Sequence, residues 1–281
     1  WNFLLDPLLN AEWPEGTKVV AYADDLAIIV AHDSRQTLKT IAQQALDLVT
    51  NWATENKLKL STEKTVFMVH KSPPRVHQRD IRLLLYDALV KRVNNQRYLG
   101  LIIDPKFNFE LNAAYATQRA RSITLGLRRR AARHWGQSAP AALRTIYRGA
   151  ILPILTYASP VWINKLTHTK VQRKYLSLYG TFARLLTSSY VSVSTDAAGV
   201  LAGLLPTDLE IDRANTLRAL KRGQVSLFQG ELITPDMFDS TAHAGVYLQL
   251  RAEDIWQSRW DNTTKGRVTH AFFPAVTTEL A

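Results

Sequence analysis

Two adjacent carboxylates, Asp24 and Asp25, stand between two short apolar runs that are rich in β-branched residues. Runs of this kind on either side of a short break predict a β-hairpin with the acids at its tip. Neighbouring acids repel each other, and hairpin tips favour Asn-Gly or Asp-Gly because the turn needs a positive φ. The pair therefore indicates either a solvated acidic turn or a site for a divalent cation. Mg²⁺ accepts one or two protein carboxylates together with water and phosphate oxygens, as in nucleotidyl transfer.

A helix and further short strands are predicted around the pair. Asp33 and Gln36 predict a capping box for a long amphipathic helix that ends near Asn56, and its apolar stripe is expected to cover a sheet. Lys64 lies at the entrance of the next strand, where a lysine is either simply solvated or brought back by the fold beside the acids. Gly100 is predicted inside a strand. It indicates a close approach of the backbone to another group, or else a bulge or a packing contact.

From Glu110 onward the hydrophobic period becomes helical, and no further hairpin is predicted. The spacing of apolar residues predicts helices over residues 110–134, 140–152, 167–186 and 207–222. Between the second and third of these, residues 151–162 are predicted to form a buried apolar connection.

The charge of the chain is concentrated in this helical half. The 281 residues carry a net charge of +11, which favours a polyanionic partner such as nucleic acid over an anionic membrane surface. Residues 111–195 hold thirteen Lys and Arg but no Asp or Glu. Because a surface without a partner normally mixes both signs, this block is predicted to face a polyanion.

Composition excludes several other classes of protein. The chain contains no cysteine, so disulfides and thiolate zinc sites are ruled out within it. No apolar run approaches the length of a membrane span, and the first residues lack the features of a signal peptide. Because the chain opens at Trp1 inside an apolar segment, we expect it to be a piece of a longer protein.

Five motifs occur in the order found in one known family: Tyr22-Ala23-Asp24-Asp25, Lys64-Thr65, Tyr98-Leu99-Gly100, the segment 154–162, and Trp260-Asp261 with Lys265-Gly266-Arg267. With them, essentially the whole chain resembles the reverse transcriptases of non-LTR (LINE-type) retrotransposons, the Jockey-like group especially. The resemblance implies an α+β fold: a right-hand polymerase palm, made of an antiparallel sheet with helices, then an all-α thumb and a mostly helical C-terminal region. The palm is expected over residues 1–105, the basic thumb over 106–190 and a connector over 191–281.

The same resemblance implies RNA-directed DNA polymerase activity, in which a primer 3′-hydroxyl attacks the α-phosphate of a dNTP by a two-metal mechanism. Asp24 and Asp25 match the catalytic metal-binding motif, with Mg²⁺ as the expected cofactor and Mn²⁺ as an alternative. Lys64 matches a catalytic lysine near the leaving pyrophosphate, and Tyr98, Leu99 and Gly100 match the turn that holds the primer end. Contacts to template–primer phosphates are expected from seven thumb residues: Arg119, Arg128, Arg129, Arg133, Lys170, Arg173 and Lys174.

The expected partners are thus an RNA template, a DNA primer or target, and dNTPs, with no membrane. Localisation in the nucleus and cytoplasm is implied by the family alone. The family also needs a further metal-binding Asp and nucleotide-binding fingers, both expected upstream of Trp1, so we expect this chain to bind nucleic acid without polymerising alone. Two alternatives stay open: a decayed, non-catalytic nucleic-acid-binding remnant, and a group II intron maturase-like protein.

Overall fold

Two compact units make up the structure, a computed structural model that describes residues 2–70, 81–133, 140–166 and 169–276, without the side chains of residues 129–133 and 169. The units are Trp1–Gln96 and Arg97–Ala281, and each has its own buried apolar clusters. Both combine helices with short strands, which confirms the predicted α+β class.

The first unit contains helices α1 and α2 and strands β1 to β6. Helix α1 is Asn2–Leu9 and α2 is Arg35–Glu55, and the six strands are β1 Thr17–Tyr22, β2 Asp25–Val30, β3 Val66–Phe67, β4 Leu84–Leu85, β5 Ala88–Leu89 and β6 Lys91–Arg92. Strands β1–β2 and β4–β5 pair antiparallel, whereas β3 pairs with β6 in parallel. The described strands therefore form separate two-stranded ladders rather than one antiparallel sheet.

Helix α2 packs against both apolar clusters of this unit. Its buried Val49 packs with α1 and the β1–β2 hairpin, while Leu38 and Ala42 contact the cluster around β4. Gln43 pairs with the backbone of β4: its Nε2 donates to the Leu84 carbonyl at 2.9 Å, and its Oε1 accepts from the Leu84 N–H at 2.9 Å. The predicted amphipathic helix that covers strands is thus confirmed.

The start of α2 differs by one residue from the prediction. Ser34, not Asp33, is the N-cap, and its Oγ accepts from the Thr37 N–H at 3.4 Å. Ser is as good an N-cap as Asp, and Ser34 has the extended backbone that the position requires, so the capping box of Asp33 and Gln36 is wrong. The predicted end is confirmed, because Asn56 is the C-cap.

The second unit begins with a hairpin and continues mainly as helices. The hairpin joins β7 Gln96–Tyr98 to β8 Leu101–Ile103, and the helices are α3 Glu110–Arg133, α4 Pro140–Ile146, α5 Leu152–Thr156, α6 Ser159–Trp162, α7 Thr169–Leu186, α8 Thr195–Ala202, α9 Thr207–Leu220, α10 Thr241–Asn262 and α11 Arg267–Phe272. A π-helical turn over Tyr147–Ile151 joins α4 to α5. A second hairpin pairs β9 Ser226–Phe228 with β10 Glu231–Ile233.

Helix α7 contributes more buried residues to the larger cluster than any other described element. Its Tyr175 stacks on Trp162 with ring centroids 5.5 Å apart, and its Phe182 stacks on Tyr147 at 4.8 Å. These contacts confirm the predicted apolar stripe of the helix: Val171, Tyr175, Leu178 and Phe182 are buried, with Leu185 packed at the margin. A second cluster gathers around the buried side of α10.

The four predicted helices of this half are confirmed over most of their described residues, while residues 134 and 167–168 lie outside the described ranges. Helix α9 ends at Leu220, two residues earlier than predicted, and the end of the helix predicted over 140–152 is partly π-helical. The connection at 151–162 is itself helical, and only some of its side chains face the core. Ile151, Leu155 and Trp162 are buried, but Tyr157 and Val161 are exposed. A helix turns every third or fourth residue toward the core, which explains why a continuous apolar run is not buried throughout.

The prediction that hairpins stop at Glu110 is wrong, because β9 and β10 form one. Its turn is Gln229-Gly230, with φ of 50° and 88°, as expected for a tight turn with two positive φ values. The sequence signal for this hairpin is Gln229-Gly230, which lies between the apolar residues of β9 and those of β10. No helix among the described residues is long and apolar enough to cross a bilayer.

Candidate active site and nucleic-acid interface

The β1–β2 turn presents Asp24 and Asp25 to solvent. Ala23 and Asp24 form the two-residue turn, and Asp25 opens β2 opposite Tyr22. Ala23 has a φ of 52°, a left-handed conformation that costs a residue other than glycine about 1–2 kcal/mol. Both aspartates are exposed, and within the described residues no ion pair or side-chain hydrogen bond engages either carboxylate. The turn therefore leaves both carboxylates accessible to a ligand.

This pair fits a cation that takes few ligands from protein. Mg²⁺ is commonly held by one or two carboxylates, with the other positions filled by water and substrate phosphates. In the part of the chain that the structure describes, His, Cys, Asp and Glu side chains form no group of three or more. Two carboxylates alone would leave the other positions of such an ion to water or phosphate oxygens.

Lys64 lies on a braced turn just before β3, as predicted. The Thr65 N–H and Oγ1 both donate to the Ser61 carbonyl, at 3.0 and 2.7 Å, and the Lys64 N–H donates to Ser61 Oγ at 3.3 Å. The Lys64 side chain is exposed, and no ion pair joins it to Asp24 or Asp25 among the described residues. Its catalytic role stays a prediction.

The Tyr98-Leu99-Gly100 motif forms a tight turn rather than the interior of a strand. Leu99 and Gly100 connect β7 to β8 with φ of 45° and 83°, so the strand placement of Gly100 is wrong. The close approach predicted for Gly100 is present, and the group it meets is Tyr157. A Cβ on Gly100 would lie 3.1 Å from the Tyr157 ring, and the Tyr157 hydroxyl donates to the Leu99 carbonyl at 2.6 Å.

Asp104 fixes the other end of this hairpin, and the sequence analysis missed it. One carboxylate oxygen accepts from the Lys106 and Asn108 N–H groups at 3.0 and 3.2 Å, and the other accepts from the Phe109 N–H at 2.8 Å. These bonds hold a loop in which Phe107 and Phe109 have positive φ. An Asp directly after a strand and shortly before a helix is the available signal, because such side chains bond nearby backbone N–H groups.

Basic residues line one side of α7. Lys170, Arg173 and Lys174 recur at helical spacing of three and four. Lys170 and Arg173 are exposed, and Lys174 is half-buried. Ser177 continues the same face and accepts from Arg121 Nη2 of α3 at 3.0 Å. Arg128, seven residues after Arg121, is exposed on α3. We call Arg121, Arg128, Lys170, Arg173 and Lys174 the basic helix surface.

Not every cation of the acid-free block is available to a ligand. Arg184 Nε donates to the Val193 carbonyl at 2.8 Å, and Arg144 Nη2 donates to the Ala202 carbonyl at 3.0 Å, so both serve the fold. Lys170 also pairs with Glu110 at 3.4 Å, an exposed contact worth little. Arg129 and Arg133 lie at the end of α3, but their side chains are outside the described residues.

Arg119 has different neighbours from the other predicted contacts. Its guanidinium lies 5.7 Å from the centre of the Tyr115 ring, and that of Arg97 lies 5.1 Å from the same centre. Helical spacing places Arg119 about two hundred degrees from Arg121 around α3. Neither Arg97 nor Tyr115 was predicted from the sequence to belong to a site.

The C-terminal motif serves the fold. Trp260 is buried, and its Nε1 donates to the Phe273 carbonyl at 2.9 Å, while Arg267 Nη1 donates to the Asp261 carbonyl at 3.0 Å. A hydrogen bond with His270, 2.9 Å from Asp261 Oδ1, is the main cause that holds the pKa of Asp261 below its ordinary value. These contacts fasten α11 to the end of α10.

Comparison with known proteins shows which proteins this chain is similar to. The family described as "Reverse transcriptase (RNA-dependent DNA polymerase)" matches residues 1–103, which includes the Asp24-Asp25 turn and ends with β8. No solved structure matches the chain.

Curated relatives extend the likeness through both units. The "Putative 115 kDa protein in type-1 retrotransposable element R1DM" of Drosophila melanogaster is 32% identical over 99% of this chain and 27% of its own length. The "Retrovirus-related Pol polyprotein from type-1 retrotransposable element R1" of Nasonia vitripennis is 28% identical over 96% of this chain and 80% of its own length. The protein of the same description from Bradysia coprophila is 28% identical over 98% of this chain, which again spans 27% of the relative.

The chain thus covers about a quarter of two of these relatives and most of the third. Their names do not test the Jockey-like subgroup, which stays a prediction. Residues 1–103 therefore match the reverse transcriptase family, and nearly the whole chain is similar to proteins of the type-1 retrotransposable element R1.

Proposed function

We propose that this chain is the metal-binding palm portion and the nucleic-acid-binding portion of an RNA-directed DNA polymerase of a non-LTR retrotransposon. The observation that carries the proposal is the accessible carboxylate pair on the β1–β2 turn, within the residues that match the reverse transcriptase family. The substrates under this proposal are an RNA template, a DNA primer or target, and dNTPs.

In this proposal Asp24 and Asp25 hold the catalytic ions. Reverse transcriptases generally depend on divalent metals, and Mg²⁺, with Mn²⁺ as a substitute, fits two carboxylates that leave positions for phosphate oxygens. When bound, the ions stabilise the negative charge that develops as the primer 3′-hydroxyl displaces pyrophosphate. Lys64 is the candidate cation for the leaving pyrophosphate.

The second unit supplies contacts with the template–primer. Lys170, Arg173, Lys174 and Arg128 present cations from two helices that touch through Arg121 and Ser177. Such contacts to phosphates give affinity and a steep salt dependence without sequence choice. The Leu99-Gly100 turn is the candidate primer-holding element. The Tyr157 hydroxyl donates to the Leu99 carbonyl and so holds this turn. Arg129, Arg133 and Arg119 remain candidates for the same role.

Primer extension tests the catalytic part. We expect no extension by residues 1–281 alone, and Mg²⁺-dependent extension on an RNA template by a longer chain that includes the fingers and further palm Asp expected upstream. In the longer chain Asp24→Asn should reduce extension by about 100-fold or more, because lost metal stabilisation is worth several kcal/mol. The matched control is Asp33→Asn, which removes an exposed charge shortly after the same hairpin. An Asp24→Asn protein that extends normally would overturn the assignment.

RNA binding tests the proposed nucleic-acid contacts of the second unit. It also distinguishes a catalytic protein from a non-catalytic remnant. RNA binding by the parent and by Asp24→Asn should be equally tight and equally salt-dependent, because neither Asp contacts phosphate without a metal. If the longer parent binds RNA but never extends a primer, the non-catalytic remnant is the better account. Residence in the nucleus and cytoplasm remains a prediction that imaging of the tagged protein would test.

A further inference from the structure

The Leu99-Gly100 turn and the strand after it are held by side chains that come from the helical part of the second unit. Tyr157, between α5 and α6, donates its hydroxyl to the Leu99 carbonyl at 2.6 Å. Asn112, in the first turn of α3, accepts from the Ile102 N–H through its Oδ1 at 3.2 Å. One bond therefore acts on the turn itself, and the other acts on β8, the strand that follows the turn.

Asn112 differs from the other buried polar side chains on the described part of α3. It is 6% exposed, and its hydrogen bond reaches outside the helix. Thr117 and Thr124 are also buried, but their hydroxyls donate to carbonyls of the same helix, those of Ala113 and Ala120. Because burying an amide is costly unless it is hydrogen-bonded, Asn112 favours the one arrangement of β8 in which this bond is made.

The partner of Asn112 is the backbone of a strand edge. Strand β8 pairs with β7 and has no strand on its other side among the described residues, and such an edge presents unpaired backbone N–H groups. The Asn112 amide supplies an acceptor for the N–H of Ile102. The neighbouring Leu101 is buried in the same apolar cluster as Ala113 of α3. A hydrogen bond and apolar packing thus fix β8 against α3 together.

Helix α3 also carries part of the basic helix surface. Arg121 and Arg128 follow Asn112 by nine and sixteen residues, which corresponds to about 14 and 24 Å along the helix axis. A nucleic acid whose phosphates contact these arginines is therefore bound to the same helix that holds β8. One continuous helix relates the bound backbone to the position of the Leu99-Gly100 turn.

We propose that Asn112 is a positioning residue, which sets where the Leu99-Gly100 turn holds the primer 3′ end relative to the basic helix surface. The proposal rests on the proposed function, which assigns the primer end to this turn. Asn112 touches no reacting atom and acts through Ile102. Loss of its acceptor oxygen should therefore misplace the primer end without weakening the contacts to phosphates.

Four variants separate this role from a merely structural one. Asn112→Leu removes the acceptor at a similar side-chain volume, and Asn112→Ala removes it without a bulky replacement. Asn112→Asp keeps an acceptor oxygen at the same reach, and a carboxylate in the first turn of a helix is favourable. Thr117→Val is the matched control, because it removes a buried hydroxyl of α3 that bonds only within the helix.

Primer extension by the longer chain measures the positioning. We expect kcat to fall about tenfold or more in Asn112→Leu and Asn112→Ala, because a small misplacement of reacting atoms is costly. The Kd for primer–template should stay within about twofold of the parent value, because the phosphate contacts are unchanged. Asn112→Asp should return kcat to within about threefold of the parent, and Thr117→Val should leave it unchanged. An unchanged kcat in Asn112→Ala, a parallel loss of affinity, or a failure of Asn112→Asp to rescue would overturn the proposal.

Hydrogen exchange tests the same role in the 281-residue chain without catalysis. Added primer–template should slow exchange at Gly100 about fivefold or more in the parent and in Thr117→Val. In Asn112→Ala it should slow this exchange less than about twofold. Equal slowing in the parent and in Asn112→Ala would overturn the role of Asn112. No slowing in the parent would overturn the primer role of the turn, and the proposal with it.

Failure of this proposal is distinguishable from failure of the polymerase assignment. Asp24→Asn should abolish extension by the longer chain and leave the slowed exchange at Gly100 unchanged. If the longer parent never extends a primer but the slowing at Gly100 depends on Asn112, the catalytic assignment fails and the positioning role stands. If the longer parent extends and Asn112→Ala matches it in kcat and in exchange, the positioning role alone fails.

Discussion

Two tight turns in this protein have opposite surroundings. The Ala23-Asp24 turn and the Leu99-Gly100 turn each join two strands through two residues, and each places a residue other than glycine at positive φ, 52° for Ala23 and 45° for Leu99. Around Ala23-Asp24 the side chains are exposed, and both carboxylates are unengaged within the described residues. Around Leu99-Gly100, the Tyr157 ring covers Gly100 and the Tyr157 hydroxyl donates to the Leu99 carbonyl.

We propose that the difference follows from the roles proposed for the two turns. A turn whose oxygens bind a metal and a substrate must keep those oxygens unengaged, so its neighbours contribute little to stability there. A turn that positions a strand or a primer must have one geometry, so packing and hydrogen bonds hold it from several sides. We therefore expect substitutions at the second turn to cost stability and substitutions at the first to cost function.

Gly100→Ala should have the largest effect on stability. The new Cβ would sit at a φ of 83° and 3.1 Å from the Tyr157 ring, for a cost of about 2–3 kcal/mol in the free energy of unfolding. Gly223→Ala is the matched control, since Gly223 has a φ of 70° but no atom within 4 Å of the added Cβ, and it should cost about 1–2 kcal/mol. Urea denaturation measures both. Equal costs would show that Tyr157 does not restrict the turn.

Asp104→Asn should have the next largest effect. The carboxylate accepts three backbone N–H bonds, and hydrogen bonds to a charged acceptor contribute about 1.5–3 kcal/mol, of which the amide keeps a part. We expect a loss of about 1–2 kcal/mol by urea denaturation. Asp239→Asn, whose carboxylate is fully exposed, should change stability by less than about 0.5 kcal/mol. A similar loss in both would refute a special role for Asp104.

Tyr157→Phe isolates the hydrogen bond to the turn. It removes the bond to the Leu99 carbonyl at 2.6 Å but keeps the ring against Gly100, so about 1 kcal/mol of stability should be lost. Tyr190→Phe, at an 84% exposed position, should leave the urea midpoint unchanged. Hydrogen exchange at Gly100 and Leu101 should quicken in Tyr157→Phe only, and unchanged exchange would mean that the hydroxyl does not fix the turn.

Ala23→Gly should have the smallest effect and the opposite sign. Glycine accepts the φ of 52° without a steric penalty, so the hairpin should gain about 0.5–1 kcal/mol. Ala27→Gly, in the middle of β2, should lose a similar amount because glycine weakens a strand interior. Loss of stability in Ala23→Gly would contradict the strained turn seen here.

Much of the fold could be predicted from local patterns, because each pattern depends on residues only a few positions apart in the sequence. The end of α2, the stripe of α7, the α9 helix ending before Gly223 and the β1–β2 hairpin all followed from spacing and turn chemistry. The tip of that hairpin is Ala23-Asp24, one residue earlier than the predicted pair of acids, because Asp25 already pairs with Tyr22. The cap at Ser34 was missed because Asp33 and Ser34 are both good caps, and only the backbone geometry decides between them.

Long-range contacts could not be predicted in the same way. Gly100 signalled a close approach, but Tyr157, which it meets, is 57 residues further along the chain. Likewise, Arg119 was grouped with the other thumb cations by charge alone, whereas its position over Tyr115 depends on which side of α3 it occupies. Partner identity in such pairs is a property of tertiary packing, and one sequence does not contain it.

Paramagnetic relaxation by Mn²⁺ can locate a metal ion bound at the β1–β2 turn. In an amide NMR spectrum of the 281-residue chain, titrated Mn²⁺ should broaden the signals of Ala23, Asp24 and Asp25 first. Asp24→Asn should abolish this selective broadening, while Asp33→Asn should preserve it. Broadening that begins elsewhere, or that is unchanged in Asp24→Asn, would contradict the assignment of Asp24 and Asp25 as the metal-binding pair.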